Sequence, residues 1–123
     1  PYKGGPMNSI NKVILIGHVG ADPKSALTKD GKTYATFSLA TSRHWKNADG
    51  KSNESTDWHK INVWGKQAEN CLLFIKKGSP VCVEGRISTY TREDNGKKTY
   101  HISISADDVV FLPSPKGPNQ NQH

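Results

Sequence analysis

The chain has 123 residues, enough for one modest core and too few for two. Its 17 lysines and arginines outweigh 11 acidic residues, giving a formal net charge of +6 and a pI near 9.4, which favours a polyanionic partner. No apolar run approaches the roughly 18–20 residues of a membrane span. The two cysteines, Cys71 and Cys82, form no C-x-x-C and have no nearby histidine pair, so no metal and no cofactor is expected. Both read as small apolar residues of a reducing compartment.

Met7 is followed by Asn8, Ser9, Ile10, Asn11 and Lys12, which is not a signal-peptide pattern. Residues 1–6 precede that methionine and read as a cloning remnant. Residues 11–19 are the first expected strand, with Val13, Leu15, Gly17 and Val19 on one face and Lys12, Ile14, Ile16 and His18 on the other. Both faces are largely apolar, so one is expected to meet the core and the other, carrying Ile14 and Ile16, another subunit. Gly17 and Gly20 suit the bends of a sheet curling into a small barrel. Asp22-Pro23 and Asp30-Gly31 make residues 21–31 a loop or a short irregular strand.

Residues 32–43 are the second expected strand, with Ala35, Phe37, Leu39 and Thr41 as its core face. At its end Arg43-His44-Trp45-Lys46 flanks a tryptophan with cations, a composition suited to a single-strand groove; a ring capping the barrel end is the plainer alternative. Residues 47–55 are polar and read as a mobile hairpin loop.

The chain is organised around residues 56–64, whose alternation gives two faces of opposite chemistry. His59, Ile61 and Val63 make a core face. Trp58, Lys60, Asn62 and Trp64 make the other, where two π-surfaces flank a cation, matching the stacking and charge that a single nucleic-acid strand needs. Residues 65–77 form the one expected helix, with Ala68, Cys71, Leu72 and Ile75 on one face, Lys76 and Lys77 as partners of the C-terminal dipole, and Gly78 as terminator.

Residues 80–92 are the fourth strand, with Val81, Val83, Gly85, Ile87 and Thr89 expected inward and Arg86, Ser88, Tyr90 and Arg92 sharing the opposite face. Asn95-Gly96 marks a type I′ hairpin. Residues 98–105 return as the fifth strand, Tyr100, Ile102 and Ile104 alternating with His101, Ser103 and Ser105. Residues 109–112 finish the domain, and residues 113–123 hold no apolar residue and are expected to be disordered.

Strand, strand, strand, helix, strand, strand is an all-β order with one helix, fitting the five-stranded Greek-key barrel called the OB-fold over residues 7–112. An OB-fold alone implies no reaction.

Asn11-Lys-Val-Ile-Leu-Ile-Gly17, Phe37-Ser-Leu-Ala-Thr-Ser42 followed by Trp45, Thr56-Asp-Trp-His-Lys60, Lys77-Gly-Ser79 and Val83-Glu-Gly-Arg86 resemble, in order, the motifs of bacterial and mitochondrial single-stranded DNA-binding proteins. The resemblance implies a non-enzymatic protein that covers single strands in replication, recombination and repair, stacking bases on Trp45, Trp58 and Trp64. Arg43, Lys46, Lys60 and Arg86 supply charge on the DNA side. A fourth stacking tryptophan of the family falls at Arg92, which offers a guanidinium plane and a phosphate contact instead, and Tyr90, two residues earlier on the same face, is the expected substitute for the ring unless it only props the hairpin. The resemblance also implies a homotetramer, with His59 near a subunit contact or else satisfied within one chain, and a cytoplasmic, nucleoid-associated bacterial protein rather than an organellar one. Bacterial members recruit replication and repair enzymes through an acidic C-terminal tip; here residues 119–123 read as the start of such a linker, without the tip. A primosomal or RNA-binding OB-fold module remains the nearer alternative. A small nuclease is the more distant one, since its carboxylate cluster is missing from acidic residues dispersed among turns, Asp107-Asp108 included.

Overall fold

The computed structural model describes residues 8–113, so the readings made for residues 1–6 and 114–123 lie outside the described residues. The elements run β1 (Val13–Val19), β2 (Lys24–Leu27), β3 (Thr33–Lys46), β4 (Ser52–Trp64), α1 (Gly65–Phe74), β5 (Pro80–Asp94) and β6 (Lys97–Phe111). Their sheet order is β1-β5-β6-β4-β3-β2, with β1 also pairing β3. Five strands thus close into the expected barrel, and residues 21–31 contribute a short strand, β2, along its outer edge.

Closure depends on β1 serving two neighbours. Val13 to His18 pair with β5, and His18 and Val19 also pair with β3. At the crossover, a Cβ on Gly17 would collide with the carbonyl of Ala40, so the backbones meet only because no side chain intervenes. Gly85 repeats the device against the carbonyl of Ser105 where β5 meets β6. The circuit is completed by a brief parallel contact of β4 with β6, Ile61 opposite Ile104 and Asn62 opposite Ser105.

Inside lie Val19, Ala35, Phe37, Leu39, Ile61, Val63, Val81, Val83, Ile104 and Val109, joined by Ala68, Cys71 and Ile75 from the α1 end. Burial pushes the Cys71 thiol up to about 11, which leaves it protonated and unreactive at neutral pH.

Several boundaries differ from the sequence reading. The helix stops at Phe74 instead of Lys77, because Ile75 turns extended (φ −91, ψ 136) and drops its side chain into the core. Lys76 and Lys77 therefore leave the helix and its dipole. They enter a turn held by Lys76 N–H donating to Ser79 Oγ (3.0 Å), Lys77 N–H to Asp22 Oδ1 (2.8 Å) and Gly78 N–H to the Val19 carbonyl (2.7 Å). Of residues 47–55, expected as one mobile loop, the last four belong to β4: β3 and β4 stay paired out to Lys46 and Ser52, leaving a five-residue turn closed by Asn47 and Lys51.

On β5 the expected inward set fails beyond Gly85, where Ile87 is 45% exposed and Thr89 is also exposed. Alternation continues, but β5 and β6 run past the barrel as a two-stranded arm, and none of the described residues covers that side. The arm is tied back by the Asn11 side chain, whose amide donates to the Ile87 carbonyl (2.8 Å) and accepts from the Ile87 N–H (2.9 Å). The break expected after Ser105 is instead one continuous strand with a bulge: Gly85 pairs Ala106, Glu84 pairs Asp108, and Asp107 has no partner residue. At the arm's tip Asn95 (φ 53) and Gly96 (φ 78) form the expected left-handed turn pair.

Gly85→Ala tests the closure. The new methyl would meet backbone, Ala106 Cα at 2.9 Å as well as the Ser105 carbonyl, which cannot swing aside as a side chain would. A loss of about 1–3 kcal/mol is expected in urea unfolding followed by circular dichroism. A variant as stable as the parent would mean that the two strands can separate without cost.

Candidate nucleic-acid interface

The row read from β4 is on the barrel surface. Trp58 is 62% exposed and Trp64 41%, while Ile61 and Val63 on the opposite face are fully buried. Across β3 the partners of Trp58, Lys60, Asn62 and Trp64 are Ala40, Ser38, Thr36 and Tyr34. Three of those four are small, so a shallow depression of about 280 Å³ opens beside Lys60, lined by Thr36, Phe37, Ser38, Ala21, Asp22 and Lys24. Gly20 sits under the indole of Trp58: a Cβ there would lie 2.5 Å from its Cζ3, so the missing side chain lets the ring lie against the barrel. At the other end Tyr34 stacks on Trp64, centroids 5.2 Å apart and planes 24° apart.

On its far side β4 meets the β5–β6 arm, and the same face continues. The Asn62 amide donates to Ser103 Oγ at 3.3 Å, and Ser88 Oγ lies 2.9 Å from Ser105 Oγ. Lys60 Nζ donates to the Tyr90 hydroxyl at 3.3 Å and lies 5.7 Å from the Tyr90 ring centre. Tyr90 therefore stands on the Trp58–Trp64 face beside its central cation, on the parity of β5 that it shares with Arg86, Ser88 and Arg92. The other side of the tyrosine is in contact with His101, stacked at 5.1 Å with planes 15° apart.

His101 and Tyr34 escaped the sequence reading. For His101 a signal existed: a two-residue Asn-Gly loop that pairs Asp94 with Lys97 fixes Tyr90 opposite His101. For Tyr34, the pairing with Trp64 is set by the register that the short 47–51 turn imposes on β3 and β4.

The remaining predicted site residues fall into three groups. Arg92 is exposed further along β5, on the face that carries Tyr90. Arg86, on the same strand face, gives its guanidinium to Asp107 at the bulge (3.2 Å); both groups are more than half exposed, so the pair is weak. Arg43, Trp45 and Lys46 lie on the part of the β3–β4 ribbon that projects past the barrel, with the Arg43 guanidinium 5.8 Å from the Trp45 ring centre. Pairing there is unbroken, with Arg43 opposite Ser55 and Trp45 opposite Asn53, so alternation puts both on the face continuous with Leu39 and Thr41. Lys46 shares the face of Trp58. The structure thus joins Trp58, Lys60, Trp64 and Tyr90 in one surface and sets Trp45 round the edge of the ribbon.

Ile14 and Ile16 are 60% and 64% exposed on the outer face of β1, beside Cys82 of β5 and, next to it, Val110 of β6. His59 is partly buried with Nε2 2.9 Å from Thr41 Oγ1, so its ring has a partner within the chain. Among the described residues no three His, Cys, Asp or Glu side chains gather closely enough to hold a metal ion, and no helix is long and apolar enough to cross a membrane.

The family model described as "Single-strand binding protein family" matches residues 10–112. Similar curated proteins include Single-stranded DNA-binding protein 1 of Chlorobaculum tepidum, 43% identical over 105 residues, covering 84% of this chain and 65% of that protein. The Single-stranded DNA-binding protein of Xylella fastidiosa is 40% identical, covering 84% and 63% respectively. The chain therefore spans just under two thirds of the length of these relatives. Among solved structures, a Plasmodium falciparum SSB in complex with ssDNA superposes with a TM-score of 0.78 at 31% identity, over 88% of this chain and 99% of that one. A deletion mutant of the single-stranded DNA binding protein from Thermus aquaticus gives a TM-score of 0.73 at 28% identity, over 85% and 51%.

Proposed function

The chain belongs to the single-strand binding protein family, and from that premise we propose that it coats single-stranded DNA, with little regard to sequence, during replication, recombination and repair. The observation that carries the reading is the continuous surface of Trp58, Lys60, Trp64 and Tyr90 on adjoining strands. Exposed bases stack on the indoles while Lys60 and Arg92 meet phosphates; every base has a π-face and every nucleotide a charge, so the binding tolerates any sequence. A duplex hides those faces and is refused. The reading assigns the chain no reaction.

Tyr90 acts here as half of a platform. His101 covers one side of its ring and Lys60 holds its hydroxyl, so the stacked pair offers a base a rigid edge and the outer ring surface at little entropic cost. Trp45, with Arg43 and Lys46, takes the strand further along the projecting ribbon. Because it faces the other way from Trp58, a DNA strand touching both must bend round the ribbon edge, which suits wrapping. Arg86, held by Asp107, contributes less charge than Arg92.

Assembly as a homotetramer belongs to the same proposal. Ile14 and Ile16, with Val110 beside them, form an outward apolar patch, and Ile87, Tyr100 and Ile102 leave a second one bare on the arm. His59, next to the core on β4, would keep its Thr41 partner while standing near a subunit contact. The protein is placed by this reading in the bacterial cytoplasm at the nucleoid. Replication and repair enzymes are further partners under the same proposal, recruited through an acidic C-terminal tip.

Fluorescence titration with a DNA homopolymer, its duplex and an RNA of equal length tests the function. Tight, salt-sensitive binding of the DNA single strand is expected; equal affinity for the duplex would reject it, and preference for RNA would favour an RNA-binding module. Within that assay Tyr90→Ala should cost about 1–3 kcal/mol with little change in salt slope, and Arg92→Ala should chiefly lower the slope, by about one. Parent-like binding by Tyr90→Ala at every salt would make the tyrosine a hairpin prop. Light scattering should return four chains per particle at micromolar concentration; a monomer that still binds DNA would end the assembly proposal.

A further inference from the structure

The stacking row does not stop at Trp64. Immediately beyond it a cleft of about 600 Å³ opens between the start of β3 and α1, lined by Lys32, Thr33, Trp64, Gly65, Ala68, Glu69 and Leu72. Its size falls within the usual range of small-ligand sites, unlike the shallow depression beside Lys60. Trp64 belongs to both surfaces. Tyr34 already covers part of that indole, so the ring surface left for a ligand is what it gives to the cleft and its approach.

The polar groups of the cleft are few and differ in sign. Lys32 stands on one wall and Glu69 on the other, and Lys66, one residue past the lining Gly65, reaches Glu69 at 3.8 Å. Both members of that pair are largely exposed, so it is weak and leaves the carboxylate free to exchange partners. A carboxylate beside a polyanion is unfavourable unless it accepts a hydrogen bond. The donors a DNA strand offers are base edges: the amino groups of cytosine, adenine and guanine. Thymine presents two carbonyls and a methyl, with only its ring N–H between them.

We propose that this cleft receives one nucleobase of the bound strand, turned in past Trp64, and that Glu69 accepts a hydrogen bond from its amino edge. The apolar walls of Ala68 and Leu72 take the ring, and Lys32 at the rim meets the adjoining phosphate. The inference rests on the single-strand reading above, and it adds a local preference for amino-bearing bases to a surface that is otherwise indifferent to sequence.

Two variants test it. Thr33→Tyr fills the cleft from an exposed strand position that tolerates aromatic residues, so the barrel is expected to stay folded by circular dichroism. It should weaken binding of short oligonucleotides about fivefold or more and shorten the occluded length by about one nucleotide. Glu69→Gln adds a donor to the acceptor at the same place, on an exposed helix position where folding is not at stake. Its affinity ratio for oligo-dC over oligo-dT of equal length should fall about fivefold relative to the parent's own ratio. A parent that binds single strands normally, with both variants matching it in affinity, occluded length and base ratio, overturns the cleft assignment and leaves the wider reading intact. A parent that binds no single strand overturns both.

Discussion

Two backbone contacts with no side chain between them, Gly17 against Ala40 and Gly85 against Ser105, hold the rest of this structure in place. A sheet whose neighbouring strands each carry a Cβ cannot fold back so tightly on itself; with those two atoms missing, β1 can pair with β5 and β3 at once. Everything functional lies downstream of that closure. It curves β4 so that the Trp58 face meets the arm, which is how Lys60 comes within hydrogen-bonding distance of Tyr90, thirty positions later in the chain. Gly20 extends the same economy to the surface, letting an indole lie flat where a methyl would have raised it.

The faces of the strands were legible in the sequence because alternation is a local property. Ala35, Phe37, Leu39, Ile61 and Val63 are buried as their parity required, and Trp58, Lys60 and Trp64 emerge together on the other side. Coverage was not legible. Ile87 lies on the inward parity of β5 and is still bare, because whether a face is covered depends on where the barrel ends, and no residue near Ile87 records that. The helix end misled for a related reason: Lys76, Lys77 and Gly78 look like a helix terminus, but the need to bury Ile75 breaks the helix earlier, and the glycine serves a turn anchored on β1.

The candidate site divides in the same way. That Tyr90 shares a face with Arg92 followed from counting along one strand, whereas that this face is also the Trp58 face needed the resemblance that puts a stacking position at Arg92. The stack of Tyr90 with His101 required combining the face with the hairpin register, information that Asn95-Gly96 carries but that no single residue displays. The opposite facing of Trp45 depends on where the β3–β4 turn begins: because the strands pair out to Lys46 and Ser52, parity fixes it. Arg86 illustrates a different limit, since its partner Asp107 is an inserted bulge residue whose position no periodic pattern announces.

The exposure of the three tryptophans has an optical meaning. Trp45, Trp58 and Trp64 are 46%, 62% and 41% exposed, and the core holds no indole at all among the described residues. An indole in a protein interior usually reports unfolding because it passes from an apolar setting into water; these three already touch water in the native state. Their emission is therefore sensitive to whatever covers the surface of the barrel. The chain carries its own ligand gauge, with Trp58 and Trp64 reading one side of the β3–β4 ribbon and Trp45 the other.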